Sequence, residues 1–291
     1  MDGHGRATAP AAGTVLNALA THHGSAFAID LETTATVDLD DSGEFDGDVA
    51  GHPDADTRLV ARCAELAVER WGDESAATDT AAIGAHVTTE GEIPMAAGLK
   101  SSSAAANATV VATCDALSVD PDPLDACRVG VQAARDTGVT VTGAFDDASA
   151  SMLGGVVVTD NDRDELLAHE ELDSHALVWW PNQQAFSADA DTARCERIAP
   201  MARLVEELAL DGRYGEAMTV NGFAYCAALG FPTDPLVEAL PDVTGVSLSG
   251  TGPSFVALGE RDALESLADR WNTREGTTWL TTTRQTGCRT T

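Results

Sequence analysis

Two adjacent acids, Asp146 and Asp147, stand in "TGAFDDASASMLGG", a stretch with no other charge. A carboxylate among small apolar residues can orient a hydroxyl or take its proton. In a chain with 47 acids, however, a given Asp is more often a solvated surface charge. A second stretch, "IPMAAGLKSSSAAANATVVAT" (93–113), places Ser101, Ser102 and Ser103 beside Lys100, the single lysine of the chain. The first N–H groups of a helix have no intrahelical partner and sit at the positive end of its dipole, where an anion binds. Gly98 can turn the backbone toward such an anion, and side chains as small as Ser and Ala let phosphate approach. The hydroxyls add bonds to phosphate oxygens or to a metal ion, and Lys100 adds a point charge. A plain Ser-capped helix with an Ala-rich packing face would use the same residues but would give the lone lysine no role. The loop is not a Walker A motif: Leu99, not Gly, precedes Lys100, and Met95, Ala96 and Ala97 fill the interior. In a third stretch, "SGTGP", Gly250 and Gly252 permit close approach to a ligand, as they would also permit a plain hairpin turn.

The elements around these stretches can be read from periodicity and punctuation. "SAFAIDL" and "TATVDL" have the alternation of paired strands, with "TVLNALAT" a short buried segment before them. An acidic loop, "DDSGEFDGDVAGHPDADT", leads into an amphipathic helix from about Thr57 to Trp71, with Leu59, Val60, Cys63, Leu66, Ala67 and Trp71 on one face. "AAIGAHVTTEG" is a strand that delivers the serine loop. Ser103 to about Leu117 is a helix stopped by "SVDPDP", and another helix runs near 123–136. A turn containing the two acids then leads to the strand "GGVVVTD". "DNDRDE" is the best boundary candidate. Beyond it lie the strand "HALVWWP", Gly-interrupted helices over "ARLVEELALDGRYGEAMTVNGFAYCAALG", the strand-turn-strand "TGVSLSGTGPSFVALG", the helix "DALESLADRWN" and the strand "TTWLTTTR". Strands and helices without strict βαβ alternation read as α+β.

Composition bounds the partners. The formal charge is -30 on 291 residues, with 29 Asp among the acids and 16 Arg among the 17 bases. Such a surface repels nucleic acid and anionic membranes. Excess Asp with scarce Lys fits a cytoplasm of high salt, where screening removes self-repulsion. Apolar residues make up 44% and are interleaved with the acids, which excludes a disordered acidic protein. The six cysteines are scattered without a CxxC pair and read as small buried hydrophobes. The histidines have no metal-ligand spacing. There is no N-terminal signal pattern and no apolar run of membrane-spanning length, so a cytoplasmic location is expected.

"PMAAGLKSSSAA" resembles the second motif of the GHMP kinase superfamily, with Lys100 where the commoner pattern has Gly or Ser. "APAAGTVLNALA" resembles the first motif and "SLSGTGPSFVAL" the glycine-rich third, in the right order over roughly residues 6 to 258. The resemblance implies an α+β, two-domain GHMP kinase fold. Its N-terminal GHMP domain (1–160) would hold a left-handed βαβ element and the phosphate loop, and a ferredoxin-like domain would follow (161–291). It implies ATP, contacted along Pro94, Ala96, Ala97, Gly98, Leu99, Lys100, Ser101, Ser102, Ser103 and Ala104 and at Gly250 and Gly252, with Mg²⁺ near Ser102. In mevalonate kinase and galactokinase the active Asp lies seven residues before a Gly, and counting back from Gly154 reaches Asp147, with Asp146 second. A metal-binding acid eleven residues earlier falls on Asp136. Some members support the Asp with a first-motif Lys. Here Ala12 and Gly13 occupy that region, so Lys100 or Arg6 substitutes for it, or the Asp works without a cation. "GLKSSSAAANA" with "GVTVTGAFDDASAS" is most similar to the archaeal shikimate-kinase branch. Homoserine kinases match "SGTGPS" almost as well but typically carry Asn where Asp147 stands. The implied reaction is ATP-dependent phosphorylation of the shikimate 3-hydroxyl, with homoserine the alternative acceptor and Arg6, Arg194 or Arg197 candidates for the acceptor carboxylate. A catalytically dead nucleotide-binding protein on this fold would not need the acid, and a diphosphate decarboxylase would lack the Lys-Ser-Ser-Ser run. The expected partner is a small molecule, with no nucleic acid and no membrane, in a monomer or homodimer.

Overall fold

Strand β1 (His4–Leu16) lies antiparallel along most of β2 (His23–Asp40), an 18-residue strand with apolar residues turned inward. "SAFAIDL" and "TATVDL" are therefore successive parts of one strand, not a pair. Glu32 and Thr33 between them offer no turn residue, so the chain cannot reverse there. The fold was obtained as a computed structural model that describes residues 3–72, 83–91, 99–140, 142–182 and 191–291. β3 (Phe45–Val49) forms inside the expected acidic loop and runs parallel to β4 (Gly84–Gly91), with α1 (Arg58–Trp71) between them as a βαβ crossover. The apolar stripe of α1 is buried as its periodicity predicts.

α2 (Ser101–Ala116) lies across β1 and β2, and its Ala104, Ala106, Ala108 and Ala112 allow close packing on the sheet. α3 (Pro123–Asp136) begins at Asp122, whose side chain accepts from the N–H groups of Leu124 and Asp125. α4 (Phe145–Leu153) follows, and β5 (Val156–Asp160) joins β6 (Glu165–Glu170) in a hairpin whose turn is the "DNDRDE" stretch. β2 forks the sheet: its start pairs with β5 and its end with β4.

β7 (His175–Trp180) opens a second sheet. α5 (Thr192–Glu196), α6 (Ala199–Leu210), α7 (Tyr214–Leu229) and α8 (Asp234–Ala239) lead to β8 (Gly245–Leu248), and β9 (Phe255–Gly259), α9 (Arg261–Trp271) and β10 (Thr277–Thr282) follow. The order β10-β7-β9-β8, antiparallel throughout, on a β-α-β-β-α-β path is the ferredoxin-like arrangement. β11 (Arg289–Thr290) returns to the first sheet beside β1. The first sheet thus takes β6 and β11, both beyond residue 160, while the second begins at His175. One apolar core runs from the first sheet through α1 to α4 and on to Val178, Met218 and Val256. Five of the six cysteines are buried and all are free thiols. Among the described residues no helix is long and apolar enough to cross a membrane.

Candidate active site

Two helix N-termini converge where the two sheets meet. Lys100 caps α2 in a left-handed conformation (φ 64), and Ala144 caps α4 in the same region (φ 50). Each such residue without glycine's freedom costs on the order of 1 kcal/mol, and strain of this kind collects at functional sites. No acidic residue lies in the first turn of α2, and Lys100 provides no side-chain cap, so that turn offers its N–H groups to an anion. The first turn of α4 instead holds Asp146 and Asp147, favourably placed for the dipole.

The central contact is Lys100 Nζ donating to Asp147 Oδ2 at 2.5 Å, with both side chains largely buried. Asp147 Oδ1 is buried and finds no hydrogen-bond partner among the described residues. Burial first, and then the neighbouring Asp146 carboxylate, push the Asp147 carboxyl up to about 7, against the pull of Lys100. Asp146 accepts from Asn161 Nδ2 at 2.8 Å, and its own N–H donates to Asn161 Oδ1 at 3.2 Å. A Cβ on Gly24 would fall 2.5 Å from Asp146 Cγ, so β2 admits only glycine beneath this carboxylate. Around the pair opens a cleft walled also by Asn17, Thr140, Thr142, Gly250 and Thr251. Asn17 ties the wall together: its Nδ2 donates to Gly250 O at 2.7 Å, and its N–H donates to Asn221 Oδ1 at 2.9 Å. Gly250 N–H donates to Thr14 Oγ1 at 2.8 Å, which joins the first and third motifs directly.

The structure brings Lys100, Asp146, Asp147 and Gly250 into one cleft. Leu99 is buried in the core behind it. Ser101 opens α2, and Ser102 and Ser103 line an adjoining hollow that shares Thr140 and Ala144 with the cleft. Ala104 is buried on α2. Pro94, Ala96, Ala97 and Gly98 lie outside the described residues. Gly252 does not line the cleft: its missing Cβ makes room for the Phe231 ring, which would lie 2.6 Å away, so this glycine serves packing. Asp136 is not brought to the cleft. Its carboxylate accepts from Arg62 Nε at 2.9 Å and Gln132 Nε2 at 2.6 Å, pairings that hold it below the usual carboxylate range, and it does not line the cleft. Its position was counted along the sequence, whereas the phase of α3 turns it toward α1. Arg6 pairs with Glu90 at the surface, Arg194 donates to Ala227 O, and neither these nor Arg197 line the cleft. Lys100 is the one cation among the described lining residues. Asn17 and Asn161 were not singled out in the sequence, although an Asn inside "TVLNALA" and another among the acids of "DNDRDE" are the signals that mark them.

The oxygens available, the Ser hydroxyls at the α2 N-terminus and the unpartnered Asp147 Oδ1, are hard donors of the kind Mg²⁺ accepts alongside phosphate. Among the described residues no cluster of three or more His, Cys, Asp or Glu forms a self-contained metal site, so any Mg²⁺ here would be shared with a ligand's phosphates.

Residues 58–155 match the family model for the GHMP kinases N terminal domain. The chain is 59% identical over 290 residues to the shikimate kinase of Halobacterium salinarum, covering 99% of each. It is 50% identical over 273 residues to that of Methanosarcina acetivorans, covering 93% of this chain and 90% of the relative. Among solved structures, homoserine kinase from Cytophaga hutchinsonii superposes with a TM-score of 0.75 at 17% identity, covering 100% of this chain and 98% of that one. Mevalonate kinase from Methanococcus jannaschii does so with a TM-score of 0.74 at 14% identity, over 99% and 98%. At these identities the structural likeness speaks to the fold alone.

Proposed function

The chain belongs to the archaeal shikimate kinases of the GHMP kinase superfamily, and on that footing we propose how its cleft works. The enzyme is an ATP-dependent phosphotransferase acting on the 3-hydroxyl of shikimate, and homoserine is the less supported acceptor. The observation that carries the mechanism is the Lys100–Asp147 contact beside the unpartnered Asp147 Oδ1.

Phosphoryl transfer needs positioning and charge neutralisation, with a base for the acceptor proton. The N–H groups of Ser101 to Ser103 and the dipole of α2 receive the phosphates of ATP, and Lys100 stands between them and Asp147. Asp147 Oδ1 accepts the hydrogen bond of the 3-hydroxyl and aims that oxygen at the γ-phosphorus. As the new O–P bond forms, the bond from the γ-phosphorus to the leaving oxygen of ADP breaks, and the hydroxyl proton passes to the Asp147 carboxylate. A carboxyl pushed up to about 7 is suited to that exchange near neutral pH. Mg²⁺, when bound with ATP, neutralises phosphate charge. Ser102 is the residue we assign to hold it.

The remaining assignments are of the same standing. Pro94 to Gly98 complete the phosphate loop, the N-terminal domain keeps β6 so that the second domain begins at β7 rather than near residue 160, and the enzyme works in the cytoplasm. The acidic surface keeps nucleic acid away, and the enzyme acts as a monomer or homodimer. The test is direct: with Mg²⁺ and ATP in high salt, the purified protein forms ADP and shikimate 3-phosphate from shikimate. It forms no ADP with homoserine, galactose or mevalonate. Turnover of homoserine with none of shikimate would reverse the acceptor and leave the kinase class standing.

A further inference from the structure

The cleft holds one more acid than the transfer uses, and we infer that Asp146 recognises the acceptor by binding its 4-hydroxyl, next to the reacting 3-hydroxyl. The inference rests on the shikimate reading above. Asp146 lines the same cleft as Asp147 and is only 3% exposed, so its carboxylate is largely withdrawn from bulk water. A buried carboxylate persists only where donors reach it. Among the described residues Asn161 Nδ2 donates to its Oδ1.

Asn161 is itself buried and fixed. Its Oδ1 accepts from Thr159 Oγ1 at 2.7 Å and from the Asp146 N–H, and its own N–H donates to His22 O at 2.9 Å. From the other side the β2 backbone closes in, since a Cβ on Gly24 would fall 2.6 Å from Asp146 Oδ2. The carboxylate is held in one orientation at the cleft wall, which a surplus acid would not require. Asn161 is therefore a positioning residue that acts through Asp146.

Asp146 and Asp147 are consecutive in the first turn of α4, and both face the cleft. Two neighbouring acceptors match two neighbouring donors, such as hydroxyls on adjacent ring carbons. In shikimate the 3-hydroxyl has one such neighbour, at C4, because C2 belongs to the ring double bond. An anionic group at this wall would meet two carboxylates, so the acceptor's own carboxylate points elsewhere.

The experiment measures kcat/KM with shikimate and with 4-deoxyshikimate for the parent, Asp146→Asn and Asn161→Ala. The parent should use the deoxy compound about 10- to 100-fold less well, the worth of a hydrogen bond to a buried charge. Asp146→Asn should bring the ratio of the two constants close to one, the loss of preference for shikimate appearing chiefly in KM, on top of any change common to both compounds that the lost charge beside Asp147 brings. Asn161→Ala should move the same way by less. A parent that uses both compounds equally overturns the inference, whether or not the variants fold. So does an Asp146→Asn enzyme that loses equally with both, which would mark a purely structural acid. A parent inert with shikimate overturns the acceptor reading and the inference together, and is told apart because the failure is already present before any analogue is compared.

Discussion

Replacing Lys100 by methionine probes the pair at the centre of the cleft. Methionine keeps an unbranched stem, and the left-handed cap position costs it about what it costs lysine, so the change removes charge and little else. In the parent, burial and Asp146 raise the Asp147 carboxyl from 3.8 to about 7 while Lys100 holds it down. An opposite charge in contact is worth about 1–3 pKa units, so Lys100→Met lifts the Asp147 carboxyl further in the direction that burial and Asp146 already push it. Asp147 works as the carboxylate, so activity is gained as pH rises through its pKa. The rising limb of kcat/KM should therefore sit near 7 in the parent and move up with the substitution. At pH 7 the ionised fraction drops from about one half to between about one tenth and one thousandth, a loss of about 5- to 500-fold. Above the displaced limb much of that loss should return, which a lysine needed only for folding would not allow. Coupled ADP release with shikimate from about pH 5 to about pH 10 measures it, with Lys100→Arg as the control that keeps the limb in place. A Lys100→Met limb at the parent's position would refute the reasoning.

Asp147→Asn should lower turnover by orders of magnitude while the ATP dissociation constant, read by calorimetry, stays within a few-fold. The same variant should flatten the pH dependence of stability. A carboxyl raised from 3.8 to about 7 gives the fold about 4 kcal/mol that is fully present below the lower value and lost as pH rises through the upper, and thermal melts across that window should show the difference. Ser102→Ala should raise the Mg²⁺ concentration needed for half-maximal rate, and an unchanged requirement removes Ser102 from the metal. Gly24→Ala drives a methyl to 2.5 Å from Asp146 Cγ and should destabilise by about 1–3 kcal/mol, read as a lower Tm. Finally, Tm should fall as salt is lowered, because at -30 formal charge the screening length grows from about 3 Å at 1 M to about 10 Å at 0.1 M. A flat Tm contradicts the high-salt reading.

Local signals were legible and long-range ones were not. The limits of α3 could be read because Pro123 behind the Asp122 cap and the Thr-Gly at its end are encoded within a few residues. β1 gave no strand signal, since "HGRATAPAAGTVL" is rich in Ala, Gly and Pro. It is a strand because β2 pairs along its length and α2 packs over it. β3 is hidden in the sequence because its charged residues face outward at the sheet edge beside β4, and such polarity is also the mark of a loop. Both members of the Lys100–Asp147 pair stood out by type, yet nothing in the sequence chose Lys100 over Arg6 as the cation. That choice is made by two left-handed caps that turn α2 and α4 toward each other. Asp136 lies away from the cleft for the opposite reason: a spacing counted along the chain ignores the helix phase that gives it to Arg62.

The pairing of Ala7 with Thr290 has a consequence for biosynthesis. On the ribosome, β1 is made before the rest of both sheets, but its outer neighbour β11 follows only after the whole second sheet. Until then the nascent chain carries an open strand edge, a template for pairing with another molecule. The late segment also fastens the interior: Arg284 N–H donates to Ala28 O, Gly155 N–H to Arg284 O, and Cys288 N–H to Met152 O. A fragment ending near residue 160 would lack both β6 and β11, leaving β1 and β5 uncovered together. Such a piece should self-associate rather than fold alone, so the two halves are partners in one folding event.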